Sequence, residues 1–107
     1  MLTRGEELIL LSVWRLQKNA YSVQIRDQII GVTNKHWSFG AIYMPLERLE
    51  KQGLLKSFLA DPTRERGGRS KRIYELTDLG TQALVDIKKI QENAWQGLAK
   101  ISLNEKT

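Results

Sequence analysis

Apolar residues recur at helical spacing in four stretches of the chain and at strand spacing in two short ones. From Arg4 to about Lys18, Ile9, Val13 and Leu16 share one face, and Leu8, Leu11 and Trp14 cover another. A surface helix needs one apolar stripe. Two stripes call for cover on both sides, one from the helix's own domain and one from another segment or another chain. Tyr21, Ile25 and Ile29 fall at i, i+4 and i+8 and predict a second helix from Tyr21 to about Ile30, with Asn19 as its N-cap and Gly31 as its stop. After a connector, Ser38 caps a third helix that reaches about Gln52, with Ile42, Leu46 and Leu49 as its core stripe and Gly53 as its end. Pro45 lies inside this helix. It has no N–H and crowds the preceding turn, so a bend or a late regular start is expected there.

Leu54 to Ala60 and Arg72 to Leu76 read as strands; in the second, Ile73 and Glu75 point one way and Tyr74 and Leu76 the other. Asp61-Pro62-Thr63 opens the turn between them and Gly67-Gly68 forms its tip, which gives a hairpin with an unusually long loop. Thr77 or Asp78 caps a fourth helix running to about Leu103. Its positions Leu84, Ile87, Gln91, Ala94, Leu98 and Ile101 step by three and four, a heptad seam with one polar member. Such a helix is roughly 35 Å long at its rise per residue, more than the remaining domain can cover. The spare faces of the first and last helices, including Leu8 and Leu11, are both used if the chain is a homodimer. An antiparallel pair of these helices within one monomer is the alternative.

Three helices followed by a β-hairpin wing make a winged helix-turn-helix. The expected fold is therefore mainly α with a small β-hairpin (α+β), with residues 1–77 forming the winged domain and residues 78–107 a long C-terminal dimerisation helix.

Charge sharpens this picture. The net charge of +5 is concentrated. Between Arg64 and Arg72 five basic residues face the single acid Glu65, while the rest of the chain holds 12 basic and 11 acidic groups. A basic patch on a wing suits a polyanion, because lysine and arginine neutralise phosphates and release counterions. The bland reading is a solvated loop. Gly67 and Gly68 let the wing backbone approach a duplex closely. Ser38, at a helix start, can offer its hydroxyl and the backbone N–H groups to a phosphate. The exposed face of the third helix presents Ala41, Met44 and Arg48. Arg48 is its strong hydrogen-bonding candidate for a base edge, whereas Ala41 and Met44 can make only apolar contacts.

The chain has no cysteine, which removes disulfides, thiolate metal sites and cysteine nucleophiles. The lone His36 has no companion ligand or carboxylate, and no carboxylate pair, metal cluster or phosphate loop is visible, so an enzyme, a metal site and a cofactor are not expected. The start lacks a signal-peptide pattern and the longest apolar run, Leu8–Leu11, cannot span a membrane; a cytoplasmic protein is expected.

Four blocks carry a resemblance: GEELILLSV near the start, AYSVQI at residues 20–25, GAIYMPLERLEKQGLL at residues 40–55 and RGGRSKRIYELTDLG at residues 66–80. In this order they resemble the PadR family of bacterial transcriptional regulators, over about residues 3 to 85. The resemblance implies a homodimeric DNA-binding repressor with a single C-terminal dimerisation helix, often released from its promoter by a small molecule. It also implies that the third helix enters the major groove and that the wing meets the backbone or the adjacent minor groove. Carried over by motif, the groove candidates are Ser38, Ala41, Met44 and Arg48, with Tyr43 as a phosphate contact or, alternatively, a core residue. The wing candidates are Arg64, Arg66, Arg69 and Lys71. In the family proline often follows the tyrosine directly; here Met44 intervenes before Pro45. Ser22 stands where glycine is common. Some members hold a planar ligand at the dimer centre, a role open to Trp14 and Trp95; plain interface packing is the other reading of these indoles. Outside this class, the sequence also fits a winged-helix protein-interaction module that turns its basic wing on an acidic protein.

Overall fold

The first helix begins with a reciprocal cap. The Thr3 hydroxyl accepts from the Glu6 N–H at 3.1 Å, and the Glu6 carboxylate accepts from the Thr3 N–H at 2.9 Å. The computed structural model describes residues 1–60 and 71–97. In it α1 spans Arg4–Leu16, α2 Ser22–Thr33, α3 Phe39–Lys51, β1 Leu55–Ala60, β2 Lys71–Leu76 and α4 Asp78–Ala94. The fold is the expected one: four helices and one antiparallel hairpin.

Three element boundaries differ from the expectation. A short 3₁₀ turn, Gln17–Asn19, follows α1, so Tyr21 and not Asn19 stands at the N-cap of α2. The second helix then runs through Gly31 and ends at Asn34, which adopts the left-handed conformation (φ 55°, ψ 34°). Glycine in a helix interior costs only about 1 kcal/mol relative to alanine, and asparagine tolerates the left-handed cap. The local signal at Gly31 therefore loses to the next good stop. The third difference is α4, which ends at Ala94 and gives way to a turn in which Gly97 has φ 87°. At 17 residues α4 is about 25 Å long. Leu98 and Ile101 of the expected seam lie outside the described residues, as do Arg64, Arg66 and Arg69 of the wing. The late regular start expected at Pro45 is absent: α3 is one helix from Phe39 to Lys51 with the proline inside it. Proline removes one helical hydrogen bond, to the Ala41 carbonyl, while Ile42, Leu46 and Leu49 on either side of it are fully buried and hold the segment down.

The core is the junction of α1, α2 and α3 with the hairpin. Ile9, Leu10, Ile25, Ile29, Ile42, Leu46 and Leu49 are completely buried, and Leu55 and Tyr74 close the stack from the sheet. Each such aliphatic side chain contributes about 1.5–3 kcal/mol by leaving water. Leu55 pairs with Leu76 and Ser57 with Tyr74, so these four share the sheet face that meets the core. Tyr74 also donates its N–H to the Ala20 carbonyl at 2.8 Å, which ties the α1–α2 connection to the free edge of β2. Ile73, on the other sheet face, is buried as well and lines a cleft with Val13 and Trp14 of α1.

Two glycines fix how α3 hands over to the wing and the wing to α4. Gly53 (φ 79°) ends α3; its N–H bonds the Glu50 carbonyl and the Leu54 N–H bonds the Leu49 carbonyl, the paired bonds of a Schellman cap. Gly80 lets α4 start against the Leu54 carbonyl, whose oxygen a Cβ at this position would overlap. Gly80 is the buried residue of α4; its side chains are at most half-buried.

Candidate nucleic-acid interface

Ser38 caps α3 as expected, its hydroxyl oxygen accepting from the Ala41 N–H at 3.1 Å. Its O–H is left to donate elsewhere. With Ile42, Leu46 and Leu49 facing inward, the helix turns Gly40, Tyr43, Met44, Glu47 and Lys51 outward. Tyr43 and Met44 are 49% and 60% exposed, so Tyr43 is not a core residue. Ala41 is half-buried at the edge of this face.

Arg48 lies at the opposite edge of the outward face from Tyr43, on the side toward α1. There its Nε donates to Glu6 Oε2 at 3.4 Å, which joins α3 to the first turn of α1. Among the described residues the ion pair is this one between Arg48 and Glu6; Glu47 and Lys51, at i and i+4 on the outer face, do not form one. Glu6 is buried, and its carboxyl is held below the usual glutamate range. The main cause is the Thr3 N–H bond, supported by the Thr3 hydroxyl and by Arg48, against the opposing effect of burial. The next residue, Glu7, accepts from Gln91 Nε2 at 2.7 Å, so the same turn of α1 also holds α4.

A second polar chain joins α3 to the wing. Arg72 Nη1 donates to the Ser57 hydroxyl at 3.0 Å, and that hydroxyl donates to Glu50 Oε2 at 2.7 Å. Arg72 is exposed beside the helix. Burial, then the nearby Glu50 charge, raises the Tyr74 hydroxyl above its ordinary range. Of the wing candidates, Lys71 is described; its ammonium sits 4.0 Å from the centroid of the Tyr21 ring. At the start of α3, Arg26 stacks 4.7 Å over Phe39 and donates to the Trp37 carbonyl, just before the Ser38 cap.

The outer side of α3 thus carries Arg48 and Lys51 against Glu47 and Glu50, close to electrically neutral. Positive charge stands beside it at two points, Arg26 against Phe39 at the helix start and Arg72 linked through Ser57 to Glu50 near its end. Arg26, Arg72 and the anchor Glu6 were not among the site residues expected from the sequence. The Thr3-x-x-Glu6 spacing is a capping-box signal that points to Glu6, but nothing in the sequence signals its bond to a residue 42 positions away.

The residues expected at a dimer interface divide between two roles. Leu8 and Leu84 pack against the core of their own chain, and Gln91 bonds Glu7. Leu11, Trp14 and Ile87 line an open groove of about 440 Å³ between α1 and α4, and Ala94 is exposed. Trp14 also borders a cleft of about 700 Å³ between α1 and the hairpin. Trp95, just beyond α4, is 62% exposed and lines neither space. Trp37 packs over Gly5 and donates its indole N–H to Thr33. Among the described residues no three His, Cys, Asp or Glu side chains gather as a metal site, and no helix is long and apolar enough to cross a membrane.

The sequence profile of the PadR-like family of transcriptional regulators matches residues 10–86, from the middle of α1 to the first half of α4. The chain belongs to the PadR-like family. A PadR family transcription regulator from Clostridium difficile R20291 shares 27% identity with this PadR-like chain at a TM-score of 0.64, covering 92% of this chain and 93% of that one. A PadR-like transcriptional regulator from Bacillus cereus is similar at 23% identity and a TM-score of 0.67, over 89% and 84% of the two chains. A transcriptional regulator from Clostridium thermocellum gives 20% and 0.67, over 92% and 94%. No curated protein sequence matches the chain. Members of the PadR-like family are regulators of transcription, not enzymes.

Proposed function

We propose that this PadR-like regulator is a cytoplasmic homodimer that binds a promoter operator through α3 and the wing and represses transcription there. Residues 1–77 are the DNA-binding domain and residues 78–107 the dimerisation segment. The observation that carries the reading is the open outer face of α3, with Arg26 at its start and Arg72 near its end, held by a fully buried inner face. Ser38, Tyr43 and the wing residues Arg64, Arg66, Arg69 and Lys71 serve as phosphate contacts, with Arg72 and Arg26 added. Ala41, Met44 and Arg48 face the bases.

A 17-residue helix without a fully buried side chain supports dimerisation, as do the exposed Leu11, Trp14, Val85 and Ile90 on α1 and α4. A free monomer would leave this apolar surface in water. Leu8, Leu11, Leu84, Ile87, Gln91, Ala94, Leu98 and Ile101 form or support the contact. A small planar effector between copies, stacked on Trp14 and Trp95, releases the operator. Selecting genomic fragments with the purified protein tests the reading: one recurrent duplex motif with two half-sites about 34–36 Å apart is expected, and recovery of unrelated fragments would overturn it.

A further inference from the structure

Resting on that reading of α3 as the groove helix, we infer that Glu6 is a positioning residue for sequence recognition, acting through Arg48. A carboxylate as buried as that of Glu6 persists only when it is paired. Its two oxygens divide the task. Oε1 accepts from the Thr3 N–H at 2.9 Å, which fixes the side chain within the capping box; Oε2 faces Arg48 Nε at 3.4 Å. A single nitrogen of the guanidinium is engaged. Both Nη groups, on a side chain that is 50% exposed, remain for a ligand.

A free arginine must give up much rotamer freedom to bind a guanine edge with two parallel bonds. Here one end of the plane is already anchored to a carboxylate that cannot itself turn. The anchor is also fixed relative to the start of α3, because the neighbouring Gly5 lies against Trp37, one residue before the Ser38 cap. The first turn of α1 thus grips α3 at both its N-terminal approach and its reading edge. Removing Glu6 would leave Arg48 charged and present, but no longer aimed.

The test is a double-mutant cycle on the ratio of affinity for the selected operator to affinity for a random duplex, at one salt concentration. The variants are Glu6→Gln, Arg48→Ala and the pair together. Glutamine keeps an oxygen for the Thr3 N–H and loses the charge. Arg48→Ala is expected to lower the ratio about fivefold to a hundredfold, Glu6→Gln to lower it at least about threefold, and the double variant to match Arg48→Ala alone. An unchanged ratio in either single variant overturns the inference, as do losses that multiply in the double variant. A wild-type ratio of one instead removes the DNA-reading function itself, and the inference with it. Should Glu6→Gln melt below the assay temperature, the wild-type protein still decides. The Arg48 Nε–H signal, assigned by its loss in Arg48→Lys, must exchange slowly with water; rapid exchange contradicts the anchor.

Discussion

Glycines 31 and 80 are the same residue type inside helices, and the structure gives them opposite meanings. Nothing lies within 4 Å of a Cβ built on Gly31, whereas one on Gly80 overlaps the Leu54 carbonyl. Gly31→Ala is therefore expected to stabilise the protein by about 0.5–1 kcal/mol through helix propensity. Gly80→Ala should cost about 3 kcal/mol or more, because a backbone oxygen must move. Urea titrations of the two variants check both signs. Glu6 adds a pH dependence. Its folded carboxyl titrates below its unfolded value, so its contribution is fully present above the ordinary glutamate range and is lost as pH falls through the lowered value. Acid melts should show Glu6→Gln less stable than wild type near neutrality, with the gap closing at low pH. A gap that persists in acid would assign the loss to packing.

At the scale of elements, the helices announced themselves through buried stripes. Ile25 and Ile29, or Ile42, Leu46 and Leu49, sit at spacings that only a helix can bury together, and these residues are indeed the core. Their ends were less legible. Gly31 is a local stop signal overruled within its helix, and Pro45 is a local break overruled by the buried residues around it. The proposed interface is expected from residue types, Arg48 and the wing cations among them. It was not legible as a circuit, since the Glu6–Arg48 and Glu50–Ser57–Arg72 connections bring together residues from different elements. The proposed function gives two arginines different roles. Arg69→Ala should weaken binding to operator and random duplex alike and flatten the salt dependence by about one unit of slope. Arg48→Ala should cost about 1–3 kcal/mol on the operator alone. Equal losses on both duplexes for Arg48→Ala would remove it from base reading.

At the scale of the whole molecule, α4 is the element its own chain covers least. It rests on α1 through Leu84 and the Gln91–Glu7 bond, yet leaves Val85 and Ile90 in water. Beside it, the groove lined by Leu11, Trp14 and Ile87 stays open. Ile87→Glu would place a charge in that groove and should convert a dimer into a monomer by sedimentation equilibrium; an unchanged mass would defeat this assignment. Two copies would double the cations presented to one duplex and set the distance between the two α3 helices. The most direct measurement of the central claim, that these paired surfaces bind DNA, is affinity for a random duplex across a salt series. Affinity should be measurable at low salt and fall linearly on a log–log scale, by about a thousandfold or more between about 50 and 200 mM. No binding at low salt, or an affinity that stays flat as salt rises, would contradict it.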